Sequence, residues 1–383
     1  MDFGFFPEQQ MLQDTARSFV ERCIPPRTAK EWDDTHHPPA ELLRKMGELG
    51  WFAIAFSEED GGLGGDALDV ALISEQLGRA SLDVAMVFLG CLIPGRTVAS
   101  RGTREQRQRY LPAVLDGTSR FAIAMSEPDA GSDAASLRTR AADCGDYFSV
   151  TGQKQWCTGA GVPGTTIATY VSTDPEAAKH KGLSLLLIDA AAEGVELAQI
   201  PTLARHILGT YDVYLKDVRV PKSDLVGKLN DGWAVMMSGV EYERVVMSAA
   251  YVGVAQATLD EALNYARTRQ QFGRPIGEFQ AIAHALADLQ VEIDSARLLA
   301  YRAAWLHSTG RPCSREGAMA KLKGSETYVA AARLGMQVMA GQGFSTENVM
   351  SFRYRESIVA PISGGTSQIQ RNAIARSMGL RAY

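Results

Sequence analysis

Near its carboxyl end the chain reads Ile362-Ser-Gly-Gly-Thr-Ser-Gln-Ile-Gln-Arg371, two consecutive glycines and hydroxyl side chains running into helical spacing. Ser367 and Gln370 have capping-box spacing, so Thr366 or Ser367 is expected to open a helix whose positive end faces the Gly364-Gly365 turn. Such a turn either receives an anion or simply caps a helix. It contains no acid. The acid that stands out lies in Gly239-Val-Glu-Tyr-Glu-Arg-Val-Val-Met247, where Glu243 has Gly239 and Val240 one turn before it and Val246 and Met247 one turn after. A charge in that stripe is either half of a buried ion pair or a base whose pKa burial raises, suited to taking a weakly acidic proton. Glu241, by contrast, has Arg244 three residues on and reads as a surface pair.

Other segments could hold a ligand. Ala124-Met-Ser-Glu-Pro-Asp-Ala-Gly-Ser-Asp133 passes from a strand end into small and hydroxyl residues. It is an ordinary turn capped by Asp133, or a place where backbone N–H groups and the Ser126 and Ser132 hydroxyls meet a flat polar ligand. In Gly152-Gln-Lys-Gln-Trp-Cys-Thr-Gly-Ala-Gly161, Trp156 and Thr158 stand two apart on an expected strand and share a face, as core or as the wall of an aromatic cofactor. At Thr268-Arg-Gln-Gln-Phe-Gly-Arg274 and Gln337-Val-Met-Ala-Gly-Gln-Gly-Phe344, arginine or glutamine beside glycine marks a helix end, or a cradle for diphosphate and adenine.

To position these segments the chain has 383 residues, 46% of them hydrophobic, enough for two or three domains at about 100 to 200 residues each. With 39 basic and 44 acidic residues the net charge is −5, which argues against nucleic-acid binding and favours small-molecule chemistry. Cys23, Cys91, Cys144, Cys157 and Cys313 form no Cys-x-x-Cys pair, so neither a disulfide framework nor a metal site is expected, and a cytoplasmic location is. The amino terminus has no basic n-region, and no run of about 18 apolar residues occurs, so no membrane insertion is expected. Helical spacing, as in Leu42, Leu43, Met46 and Leu49, runs through the first third, with a glycine-rich turn at 61–65. Short β-branched and aromatic runs follow, and helical periodicity returns over about 233–270, 278–308, 314–340 and 366–378. The expected class is α+β: an N-terminal α-helical domain over 1–117, a middle β domain over 118–228 and a C-terminal helical bundle over 229–383.

This order, with Met125-Ser-Glu-Pro-Asp-Ala-Gly-Ser-Asp133 in the middle, Arg269-Gln-Gln-Phe-Gly-Arg274 after it and Gly364-Gly-Thr-Ser-Gln-Ile-Gln-Arg371 near the end, resembles the acyl-CoA dehydrogenase family of flavoproteins along essentially the whole chain. The resemblance implies a middle β barrel, a C-terminal four-helix bundle, FAD between them, and a homotetramer or homodimer. It implies that Met125, Ser126 and Ser132 line the flavin and thioester region, with Trp156 and Thr158 against the isoalloxazine. Arg269, Phe272, Gln337 and Gly341 would serve the FAD of a neighbour, and Thr366 and Gln368 the same dinucleotide from the end motif. Arg244 and Arg376 match positions facing the acyl-CoA nucleotide, Ser132 one near the pantetheine.

The implied reaction removes an α proton by a glutamate and a β hydrogen as hydride to flavin N5, with electrons passing on to an electron-transfer flavoprotein. In many members the base opens Glu-Gly-Thr in the end motif, after a bulky residue; here Ser363 and Gly364 hold those two places, leaving Gly364 facing substrate. In a minority, including isovaleryl- and long-chain-type enzymes, the base immediately precedes the arginine of the long helix, and that position is Glu243. Crotonobetainyl-CoA reductases and prolyl-carrier-protein dehydrogenases are similar in this respect. A carrier-protein thioester or the reductase direction is therefore an alternative to oxidation of an acyl-CoA, and a non-catalytic flavin-binding subunit is a third reading. Ala340, Gly159 and Phe352 depart from the family's usual glycine, asparagine and basic residue. Phe88 and Leu92 fall on one helical face and would shorten an acyl channel, so a short or branched acyl group is expected.

Overall fold

The structure, a computed structural model, describes residues 4–36 and 40–381. The first part of the chain is helical: α1 (Pro7–Cys23), α2 (Pro26–Thr35), α3 (Ala40–Glu48), α4 (Ala67–Ala80), α5 (Leu82–Arg101) and α6 (Arg104–Leu115). Local chemistry sets two of the starts. The Asp66 carboxylate accepts the N–H groups of Leu68 and Asp69 ahead of α4, while the Asp69 carboxylate accepts the N–H of Asp66. Thr103 and Gln106 form the same reciprocal box ahead of α6. The 61–65 turn lies just before α4, with Gly61 and Gly64 at φ of 81° and 70°. Among the described helices α5 alone is long and apolar enough to cross a membrane, and most of it is buried inside the protein, as in a core helix.

The middle of the chain is a sheet of β1 (Arg120–Ala124), β2 (Arg140–Asp143), β3 (Tyr147–Thr158), β4 (Thr165–Ser172), β5 (Leu183–Asp189), β6 (Val195–Gln199), β7 (Thr210–Pro221) and β8 (Leu225–Val226). Its strand order is β6-β7-β3-β2-β4-β5-β8, with β1 parallel beside β4. Phe148, Val150, Ile167, Leu186, Val213 and Val218 pack together as its core. The last part holds α7 (Gly232–Thr268), a hairpin of β9 (Gln270–Gln271) and β10 (Arg274–Pro275), α8 (Gln280–Ser308), α9 (Ser314–Met339), α10 (Gly341–Phe344), α11 (Val349–Ser357) and α12 (Ser367–Ser377). The four expected helical segments are α7, α8, α9 and α12. The short α10 and α11, and the strands β2 and β6, were not expected.

Packing groups the chain into two compact units that do not follow chain order: Met1–Asp34 with Asp66–Met86 and Glu241–Tyr383, and Thr35–Gly65 with Val87–Val240. Within the first, α4 and α7 approach backbone to backbone. A methyl group on Gly78 would meet the Ala250 carbonyl, and one on Gly253 the Glu75 carbonyl, so neither position admits a side chain. In the second, Gly159, at φ 74°, leaves room for the buried guanidinium of Arg120, which a Cβ there would approach to 2.7 Å. That close approach is the physical reason for glycine in place of asparagine.

Candidate active site

In the first unit α7 presents Glu243 half-buried, above the buried Val246 and Met247. Gly239 and Val240 are half-buried, so the apolar stripe expected around Glu243 is closed on one side only. The turn before α12 places Gly364 and Gly365 at φ of 64° and 86°. A Cβ built on Gly364 would lie 3.1 Å from Glu243 Oε1 and 4.0 Å from Lys321 Cε. The Glu243 carboxylate thus stands against the position where a side chain at residue 364 would begin.

Lys321, on α9 and 1% exposed, donates to the carbonyls of Ala360 at 3.0 Å and Gly365 at 2.9 Å. Gln370 Nε2 donates to the carbonyls of Gly364 at 3.1 Å and Gly365 at 2.9 Å. Thr366 is the N-cap, its Oγ1 accepting the Ile369 N–H at 3.2 Å. This corrects the capping-box expectation. With Thr366 as cap, the third helical residue is Ile369, and Gln370 reaches back to the glycine carbonyls instead. Arg244 brings Nη2 to 3.6 Å from where a Gly365 Cβ would be.

Burial pushes the Arg244 guanidinium below its ordinary value and the Lys321 ammonium down to about 8, with the Glu243 charge opposing both shifts. Arg376, exposed on α12, adds a like charge that depresses Arg244 further. Glu241 is not simply the surface partner of Arg244: its Oε1 accepts the Cys313 thiol at 3.6 Å, and burial followed by the Glu241 charge pushes that thiol up to about 12.

Lys321 escaped the sequence reading, although it was detectable. It shares a buried helix face with Gly317, Ala318, Gly324 and Ser325, an unusual setting for a cation and the same argument that singles out Glu243.

In the second unit Met125 and Ser126, both half-buried, follow the end of β1. Their loop is anchored by a buried ion pair, Lys154 Nζ to Glu127 Oε1 at 2.8 Å. Glu127 also accepts the N–H groups of Arg138 at 2.6 Å and Thr139 at 2.9 Å. Burial pushes the Glu127 carboxyl up, but Lys154 and these hydrogen bonds hold it below its ordinary value. Trp156 sits where the β3–β7 register shifts, at φ 64° and 55% exposed, while Cys157 is buried and Thr158 half-buried. Ser132 is exposed. Phe88 and Leu92 have no exposed surface, and the Phe88 ring tilts against Phe52 at 5.7 Å.

Arg269 and Phe272 occupy the hairpin after α7, Phe272 at φ 51° and 93% exposed. Gln337, Gly341 and Gln368 are exposed as well. At about 1.5 Å of rise per residue, the helix carries the chain roughly 37 Å from Glu243 to its end at Thr268, so the hairpin does not share a site with Glu243 of the same chain.

Models of the acyl-CoA dehydrogenase N-terminal, middle and C-terminal domains match residues 7–118, 122–218 and 230–379 in turn. The chain belongs to the acyl-CoA dehydrogenase family. It is 36% identical over 381 residues to the probable acyl-CoA dehydrogenase YngJ of Bacillus subtilis, covering 99% of this chain and 100% of that one. It is 34% identical over 379 residues to the caffeyl-CoA reductase-Etf complex subunit CarC of Acetobacterium woodii, covering 97% and 98%. The structure of PigA with FAD and proline superposes with a TM-score of 0.94 at 28% identity, covering 100% of each chain.

Acyl-CoA dehydrogenase family members are FAD-dependent oxidoreductases, and the residues present fit that cofactor. Among the described residues, Arg244 Nε, Ser367 Oγ and Gln370 Oε1 are buried around the Gly364-Gly365 turn without a hydrogen-bond partner, as expected of groups that a polar ligand completes. The Trp156 and Phe272 rings stand in solvent, available to an aromatic or dinucleotide surface.

Proposed function

We propose that this enzyme introduces an α,β double bond into a short or branched acyl-CoA thioester, with Glu243 taking the α proton. The observation that carries this reading is the 3.1 Å between Glu243 Oε1 and the position a Gly364 side chain would start from, where other family members keep their acid. A carboxylate reaching that spot from α7 serves the same reacting atoms. The chemistry FAD supplies when bound is acceptance of the β hydrogen as hydride. Met125, Ser126, Ser132, Trp156 and Thr158 are assigned to the flavin, Thr366 and Gln368 to the dinucleotide, and Arg269, Phe272, Gln337 and Gly341 to the FAD of a neighbouring copy. Arg376 is assigned to the phosphates of the substrate nucleotide, where a cation suits an anion; Arg244, expected there too, stands instead beside the Gly364-Gly365 turn next to Glu243; Ser132 is assigned to the pantetheine and Gly364 to the acyl group. Phe88 and Leu92 are enclosed in the core and line no open surface, so the short or branched acyl group rests on their place in the sequence.

A homotetramer or homodimer is supported by Val291, Leu298 and Trp305, seven residues apart on α8 and 64%, 56% and 47% exposed. An electron-transfer flavoprotein is the proposed electron acceptor and the cytoplasm the proposed location. A second reading, the reductase direction, is favoured by the caffeyl-CoA reductase subunit among the relatives.

Anaerobic addition of butyryl-CoA, isovaleryl-CoA and the corresponding carrier-protein thioesters to the flavin-loaded enzyme tests this. Loss of the flavin absorbance with a short or branched acyl-CoA is expected. Bleaching by carrier-protein thioesters alone moves the substrate class, and an unchanged spectrum with every thioester overturns the dehydrogenase reading.

A further inference from the structure

Lys321 has no assigned part in binding or chemistry, yet it touches the turn on which the site depends. Its ammonium bonds the carbonyls of Ala360 and Gly365, on either side of Gly364. Its Cε is 4.0 Å, and Glu243 Oε1 3.1 Å, from the same point above the Gly364 Cα. We propose that Lys321 is the positioning residue for Glu243: it pins the two-glycine turn clear of the carboxylate, and its charge keeps that carboxylate ionised. This rests on reading Glu243 as the base.

A lysine taken this far from water is tolerated only where fixed acceptors replace its hydration, so the turn and the cation hold each other in place. The ionised groups acting here are Glu241 and Arg244 on α7, Glu326 on α9 and Arg376 on α12, while residues 358–366 carry no charge. Arg376 is exposed and water screens it, whereas Arg244, whose Nε is buried, acts on Glu243 alongside Lys321. Lys321 has almost no exposed surface and, unlike Arg244 and Arg376, also bonds the carbonyls of the turn that faces Glu243. Burial brings Lys321 down to about 8 while Glu243 pulls it back up, and the same interaction favours the ionised carboxylate in return.

The test compares Lys321→Gln, which keeps two donors without the charge, with Lys321→Arg, Glu243→Gln and the double variant Lys321→Gln/Glu243→Gln, all flavin-loaded. In the pH profile of anaerobic flavin reduction, Lys321→Gln is expected to move the acid limb up by about one unit, and Lys321→Arg to keep it near wild type. A merely structural lysine would lower the rate at every pH without moving the limb. In thermal unfolding, Lys321→Gln is expected to cost roughly 2 to 4 °C less in the Glu243→Gln background than in wild type. Additive losses together with an unmoved limb overturn the proposal. The reading of Glu243 as base fails separately, if Glu243→Gln keeps the wild-type rate, and the unfolding cycle still reports whether the two side chains are coupled. Should Lys321→Gln not fold, Lys321→Met takes its place in both measurements.

Discussion

A carboxylate on a helix can take over from one on a turn only if the turn gives way. Gly364 does so twice, by lacking a Cβ that would press on Glu243 Oε1 at 3.1 Å and by adopting φ 64°. Gly364→Ala is expected to cost about 1 kcal/mol in chemical denaturation and to slow flavin reduction roughly tenfold by displacing the carboxylate; unchanged values in both would remove the turn from the account.

Two buried groups make opposite contributions to the pH dependence of stability. Glu356 accepts the N–H groups of Leu82 at 3.0 Å and Asp83 at 2.9 Å, and burial, aided by the Asp83 charge, pushes its carboxyl up from 4.5 to about 7. The folded state therefore holds that proton longer than the unfolded chain, and stability is expected to fall as pH rises from 4.5 to about 7. Lys321 has the opposite sign. Its folded value of about 8 lies below the ordinary 10.5, so the unfolded chain binds more protons between them and stability is expected to rise with pH across that window. Melting temperatures at matched ionic strength check both limbs, and flat curves would contradict them. At this scale Glu243 was legible because helical spacing names its neighbours. Lys321 was less so, because its partners are carbonyls of a turn some forty residues on, which carry no side-chain signature.

Among the elements, α7, α8 and α9 were legible as long segments of helical spacing that no proline interrupts. The stretch holding α10 and α11 was not, since 341–357 is broken by glycine, serine and asparagine before a period can be established. β2 and β6 are short and largely exposed, so they lack the nearly continuous β-branched and apolar runs by which β4 and β5 announce themselves. The irregularity at Trp156 arises from register with β7, which its own segment does not encode.

Ala340 shows the reverse case: the structure explains the glycine usual at that place and leaves the alanine unexplained. It ends α9 at φ 49° and ψ −129°, a conformation suited to the glycine usual at that place. Ala340→Gly is expected to stabilise the protein by about 1 kcal/mol, raising the melting temperature by roughly 1 to 3 °C. A lower melting temperature would mean that the alanine is not strained.

On the scale of the whole molecule, the order of helix, sheet and helix followed from composition and spacing, but the grouping of α1, α2 and α4 with the carboxyl-terminal helices did not. That grouping depends on glycines such as Gly78 and Gly253, whose role in helix contact is invisible until the facing backbone is known. The exposed stripe on α8 was hidden too, because helical spacing alone does not say which face of α8 carries Val291, Leu298 and Trp305 into solvent. Replacing Leu298 and Trp305 with glutamate is expected to convert the sedimenting species to a smaller one with helical content retained, and an unchanged sedimentation coefficient would exclude that face from self-association.

The most direct measurement is the rate at which flavin absorbance disappears when flavin-loaded Glu243→Gln is mixed, without oxygen, with the thioester that bleaches the wild type. A loss of about 10²- to 10⁴-fold is expected, with flavin content and melting temperature near wild type; bleaching at the wild-type rate would contradict the role of Glu243 as base.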